Sequence, residues 1–199
     1  AYYPTKAAAQ NDKCAVESAG AYLGRVYGDV LDPKQIAKIV YDADPPGELV
    51  LSGSDPEAIK QVYRLGIGSC MHNKSAPSVY GAGDIQALTL VRNGRTIARA
   101  LCWPERKFVG CLYGDTVRMK MAIELAGYTR DYHGQSTANS ESLGGFEGAR
   151  LLKVRKGRSW LMPWIDLGYK VWDDGEYFRL SMKRGVNVNN TSNTYSGSI

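Results

Sequence analysis

The dipeptide Asn93-Gly94 constrains this chain more than any other feature. It stands between Ile85–Arg92 and Arg95–Trp103, two runs rich in strand-forming residues. A two-residue turn of type I′ needs positive φ at both central residues, which Asn and Gly tolerate. The pair therefore predicts an antiparallel hairpin over residues 85–103. Pro104 ends its second strand, because proline has no N–H to give to a ladder. Phe108–Tyr113 predicts a third strand, reached through Glu105-Arg106-Lys107. Asp115 predicts the N-cap of a helix that runs to Ala126, with Val117, Met121 and Leu125 inward and Gly127 as its stop.

Upstream, the pattern is helical. Ala15, Ala19, Tyr22, Leu23 and Val26 recur at helical spacing and predict a helix from about Ala7 to Tyr27. Asp32-Pro33 opens a second helix with Ile36, Ile39 and Val40 on its buried side, and Asp44-Pro45-Pro46-Gly47 ends it. Glu48–Ser52 is a short strand. Asp55-Pro56 repeats the start signal for a third helix, with Ile59, Val62 and Tyr63 as its stripe and Gly66 as its stop. Residues 66–83 have no period and predict an irregular loop. Residues 129–149 are polar and Gly-rich and predict a surface excursion.

A second β region follows, with strands at Leu151–Arg155, Trp160–Ile165 and Tyr169–Trp172. A turn at Asp173-Asp174-Gly175 leads to a return strand over Glu176–Met182. The class is α+β: N-terminal helices, then an antiparallel β meander with one packed helix, then a small C-terminal antiparallel sheet. The expected division is a mainly helical region over 1–66, an α+β core over 67–182 and a polar tail over 183–199. Such a tail cannot bury enough apolar surface to order itself alone and must dock to be ordered.

With 199 residues, of which 44% are hydrophobic and 23% charged, the chain can bury a core without metal or disulfide staples. No stretch approaches the roughly 18 apolar residues of a membrane span, so no membrane partner is expected. Lys6–Tyr27 lacks the continuous apolar centre of a signal peptide. Ala1 fits initiator removal, processing or a fragment. Cys14, Cys70, Cys102 and Cys111 include no CxxC pair, and His72 and His133 are the only histidines. Spacing therefore implies no zinc site and no cofactor. Cys102 and Cys111 flank a turn and leave a disulfide geometrically open, but reduced, buried thiols are the expectation.

Four motifs bear on chemistry. In Gly68-Ser69-Cys70-Met71-His72 a thiol and an imidazole stand close together. Cys70 and His72 are thus the candidate catalytic pair, since a thiol becomes a nucleophile beside a base. The residues after them open a helix poorly, and a structural Cys70 buried under a loop is the expectation. Gly81-Ala82-Gly83-Asp84 lacks the GK[ST] ending of a phosphate loop and reads as a turn. Asp84 has the chemistry of a metal ligand, but no second carboxylate is tied to it by spacing. Basic residues are the fourth motif. Arg92, Arg95 and Arg99 lie on the hairpin and Arg106 and Lys107 at the next turn, while Arg150, Lys153, Arg155, Lys156 and Arg158 form a dense run before Trp160. Cations interleaved with an aromatic ring suit a phosphate backbone and base stacking. They equally suit a solvated sheet edge. In a strand, Lys153 and Arg155 would share a face.

The segments Ser69-Cys70-Met71, Val79-Tyr80-Gly81-Ala82-Gly83-Asp84, Ile97–Lys107 and Tyr113-Gly114-Asp115 together resemble a group of tailed-bacteriophage proteins. Leu161–Asp166, Gly168–Val171 and Asp174–Phe178 extend the resemblance, which covers about residues 60 to 182. It implies a phage setting, in the host cytoplasm or the virion, and no particular chemistry.

Three functions follow as expectations. The first is a phage-encoded accessory protein that binds nucleic acid or a nucleoprotein through its basic β surface, a reading the net charge of +5 permits. The second is a virion component docked on other phage or host proteins by its C-terminal tail. The third is a Cys70-dependent enzyme.

Overall fold

At the turn of the central hairpin, φ is +51° at Asn93 and +70° at Gly94. In this computed structural model the residues described are 18–65, 67–68, 71–72, 74–130, 144–161, 169–181, 186–187 and 194–195. The chain divides into two units, 1–45 and 46–199.

The described part of the first unit is a helix pair. Ser18 caps α1 (Ala19–Tyr27) by accepting the Ala21 N–H. Asp32 caps α2 (Pro33–Ala43), and Gln35 returns a side-chain bond to the Asp32 N–H, completing a capping box. Gly20 faces Val40 and Gly24 faces Ile36, so the small residues of α1 let the helices approach. Residues 7–17 of the expected first helix lie outside the described residues. The two expected buried faces are only partly covered: Tyr22, Val26 and Ile39 are exposed, and Ile36 and Val40 half-buried. Two short helices packed on one another cannot enclose both stripes.

The second unit is built on a five-stranded sheet of order β1-β2-β3-β4-β5. Its strands are β1 (Glu48–Leu51), β2 (Gln86–Arg92), β3 (Arg95–Trp103), β4 (Phe108–Gly114) and β5 (Thr129–Arg130). The first four pair antiparallel, and β5 joins β4 in parallel. Helix α4 (Thr116–Leu125), capped by Asp115, covers one face. Leu88, Leu90, Ala98, Ala100, Cys102 and Val109 meet Met119, Ala122, Ile123 and Tyr128 there.

The helix buries a different stripe from the one expected. Val117 is 71% and Leu125 52% exposed, while Met119 and Ile123 are buried with Ala122 between them. Met119 and Ile123 are also one turn apart, and the small Ala122 lets the backbone close on the sheet.

Against the opposite face of the sheet, Ala87, Trp103 and Phe108 join a larger core. Ile59 of α3 (Pro56–Val62) and Tyr63 just after it contribute, as do residues of the second β region. Residues 66–83 are not simply a loop: a 3-10 helix over Ala76–Tyr80 buries Ala76, Pro77, Val79 and Tyr80. Nor is 129–149 all surface, since Thr129 and Arg130 form β5 and Phe146 is buried edge-on to Phe108, with ring centroids 4.8 Å apart.

The second β region makes two further sheets. One has order β11-β9-β10-β6, from β6 (Arg150–Leu152), β9 (Lys170–Asp174), β10 (Tyr177–Ser181) and β11 (Val186–Asn187). The other has order β12-β8-β7, from β7 (Arg155–Lys156), β8 (Ser159–Leu161) and β12 (Thr194–Tyr195). The described parts of the polar tail therefore pair within this chain. The α+β class holds throughout. No helix among the described residues is long and apolar enough to cross a membrane.

Candidate functional site

The basic run does not act as one surface. Arg150 is held by Asp84: its backbone N–H donates to Oδ2 at 2.9 Å and its Nη2 to Oδ1 at 2.8 Å. The Gly81–Asp84 turn is thereby a structural clasp, and Asp84 is committed to a guanidinium. Burial pushes the Asp84 carboxyl up, but the hydrogen bonds and charge of Arg150, with Arg179 behind it, bring it below the usual carboxylate range.

Lys153 is largely buried. The strand stops at Leu152, so Lys153 does not share a β face with Arg155 as expected. Its side chain is only 12% exposed. Its ammonium pairs with Asp173, donates to the Gly175 carbonyl at 2.7 Å and lies 5.0 Å from the Phe178 ring centroid. The hydrogen bond from Lys153, with its charge, holds the Asp173 carboxyl below the usual range.

Arg155, Lys156 and Arg158 remain. All three are exposed, on or beside the tight β7–β8 turn, where Gly157 has φ +64°. None has a carboxylate partner among the described residues. Arg155 stands directly opposite Trp160 across the strand pair, with its guanidinium 4.1 Å from the indole centroid. Trp160 meets Phe178 edge-on at 5.4 Å and packs against the larger core. The indole is therefore a support, and the plane offered outward beside it is the guanidinium of Arg155. Guanidinium planes stack on bases as aromatic rings do.

The other basic residues divide similarly. Arg106 lies over Trp103 at 4.1 Å and Lys107 over Tyr128 at 4.6 Å. Arg95 is exposed at the end of the central hairpin. Arg99 is not on the surface at all, being 2% exposed. Its guanidinium sits 4.0 Å from the Tyr63 ring centroid and 5.5 Å from that of Tyr113, its register partner in β4. Nη2 donates to the Ile67 carbonyl at 3.1 Å, while Nε and Nη1 are buried without a hydrogen-bond partner among the described residues. An unmade bond at a buried donor costs about 1–3 kcal/mol. This cluster of Arg99, Tyr63 and Tyr113 is absent from the sequence reading. Strict alternation along β3 held the signal, since position 99 shares a face with Leu101 and Trp103.

Of the candidate catalytic pair, Cys70 lies outside the described residues. His72 is part-buried, with Nδ1 3.0 Å from the Tyr63 carbonyl. A carbonyl only accepts, so Nδ1 carries the hydrogen and Nε2 is the basic nitrogen of the neutral ring. Cys102 and Cys111 are both free thiols. Burial pushes the Cys102 thiol up to about 12, which leaves it protonated and unreactive near neutrality. Among the described residues no three His, Cys, Asp or Glu side chains converge as metal ligands would.

No family model, no curated protein and no solved structure matches the chain.

Proposed function

We propose that this chain is a phage-encoded accessory protein that contacts nucleic-acid phosphates through the β7–β8 turn. The observation that carries the reading is the division of the basic run. Arg150 and Lys153 are each paired with a carboxylate, Asp84 and Asp173, whereas Arg155, Lys156 and Arg158 project from one turn without carboxylate partners among the described residues. Three exposed cations on one tight turn, without carboxylate partners among the described residues, suit a polyanion, because each phosphate they neutralise releases condensed counterions. The Arg155 plane, backed by Trp160, gives a surface on which an unpaired base can stack. The net charge of +5 favours the encounter.

The test is fluorescence anisotropy with labelled single-stranded and duplex oligonucleotides across a salt series. The parent protein should bind at low salt, with affinity falling as salt rises. The Arg155→Ala, Lys156→Ala, Arg158→Ala triple variant should weaken binding alike for all sequences. It should also lower the salt slope by about 2 to 3, from roughly 0.7 to 0.9 per lost phosphate contact. No binding by the parent at low salt, or an unchanged slope in the variant, removes the reading.

A further inference from the structure

Strand β1 is the outer member of the five-stranded sheet, and none of the described strands pairs with its free side. Its register with β2 runs unbroken from Glu48 opposite Val91 to Leu51 opposite Leu88. One step further, the Ser52 N–H donates to the Ala87 carbonyl at 2.9 Å. Hydrogen-bonded and non-hydrogen-bonded pairs alternate along an antiparallel ladder. Glu48, Val50 and Ser52 therefore turn their backbone groups to β2, and those of Leu49 and Leu51 point out of the sheet. The devices that blunt such an edge are missing, since β1 holds no proline, no lysine and no bulge. Val50 is 39% and Leu51 42% exposed. The opposite edge strand, β5, is only two residues long.

We propose that β1 is a self-association edge, on which a second copy of this chain pairs antiparallel about a two-fold axis at Val50. The outward pattern is self-complementary. Leu49 falls opposite Leu51 of the second copy, and Leu51 opposite its Leu49, so both pairs exchange the backbone bonds that β2 leaves open. Exposed Leu51 is then covered by a leucine, and Val50 meets Val50 across the axis. Glu48 falls opposite Ser52, so no like charges face each other. Gly47 and Gly53 stand equally far from Val50, at φ +128° and +74°. They end the strand symmetrically and face one another without side chains. An unrelated partner strand needs none of this symmetry, which is what selects a second copy. The edge uses none of the residues of the β7–β8 turn, so it stands or falls separately from the phosphate contact there.

The experiment is sedimentation velocity on the full chain over a concentration series, paired with amide hydrogen exchange. The contact is short, so the expected result is a weak, reversible dimer that is populated at about 1 mM protein. Exchange at the Leu49 and Leu51 amides should slow as concentration rises, while the Val50 amide, already bonded to β2, should not change. Leu51→Pro removes an N–H that β2 does not use, and Val50→Lys sets two cations across the axis. Each should raise the dimer Kd about tenfold or more. Mild oxidation of Val50→Cys should link two copies through position 50, read by peptide mass mapping, whereas Glu48→Cys should not link to itself. A parent protein that is monomeric at about 1 mM overturns the proposal. So does a dimer whose Leu49 and Leu51 amides exchange at the monomer's rate. An undiminished dimer in folded Leu51→Pro and Val50→Lys places the contact elsewhere. Should either variant fail to fold, exchange in the parent and the cross-link decide.

Discussion

Asp84 and Arg150, 66 residues apart in the chain, are joined through both the backbone and the side chain of the arginine. Asp84 ends the turn that leads into β2, and Arg150 begins β6. One carboxylate thus ties the five-stranded sheet to the second β region.

Replacing Asp84 with Asn should lower the Tm by several degrees, since a hydrogen bond to a charged group contributes about 1.5–3 kcal/mol. The native pKa lies below the unfolded value of 3.8. The unfolded chain therefore binds the proton first, and this stability is present above pH 3.8 and lost as pH falls through the native pKa. Chemical denaturation between pH 6 and pH 3 should show a smaller acid-side loss in Asp84→Asn than in the parent.

Gly94→Val should destabilise the fold by about 1 kcal/mol or more, because a β-branched residue resists the positive φ of the turn. A Cβ there meets nothing within 4 Å, so the cost is conformational and not steric. Gly94→Asn should recover most of it. Thermal melts of the two variants check the difference.

Gly83→Ala should destabilise strongly, since its Cβ would run into the Arg150 carbonyl. Gly68→Ala, whose Cβ finds open space, should leave the melting temperature unchanged. Equal melting of the two would show that the Gly81–Asp84 turn does not seat β6.

Cys102 should resist thiol reagents in the folded protein and react once it is unfolded, while Cys111, which is less buried, reacts first. Peptide mass mapping after timed alkylation reads this directly. The native thiol at about 12 lies above the ordinary 9.0, so the unfolded chain loses its proton first. Stability should therefore fall as pH rises above 9.0, and Cys102→Ala should remove that part of the alkaline loss.

Lys153→Met should leave the salt slope of nucleic-acid binding unchanged while lowering stability, because the Lys153 charge is spent on Asp173. A slope reduced as much as in the β7–β8 triple variant would place Lys153 on the binding surface instead. Anisotropy across the salt series, paired with thermal melts, separates the two.

What the sequence made legible was local chemistry. Asn93-Gly94, Asp32-Pro33, Asp55-Pro56 and Asp115 each act within a few residues, and each sits where its turn or cap was expected. What it hid was tertiary. Met119 and Val117 are equally regular members of rival stripes, and only the sheet beneath α4 decides between them. Lys153 and Arg155 look alike in a basic run, yet one meets a carboxylate contributed by β9 and the other an indole across a turn. The Ala76–Tyr80 helix buries a segment whose composition reads as loop, because its neighbours come from elsewhere in the chain.

The pairing of Thr194 with Leu161 and Tyr195 with Trp160 has a consequence for synthesis. The strands of the five-stranded sheet emerge from a ribosome within residues 48–130, so that layer can form while translation continues. The sheet behind the basic turn cannot, because β8 waits for a partner made long after it. A nascent chain stalled between β8 and β12 would display Trp160 and its cations with one flank of that sheet still unpaired, and the basic β7–β8 turn would complete its sheet only after β12 is made.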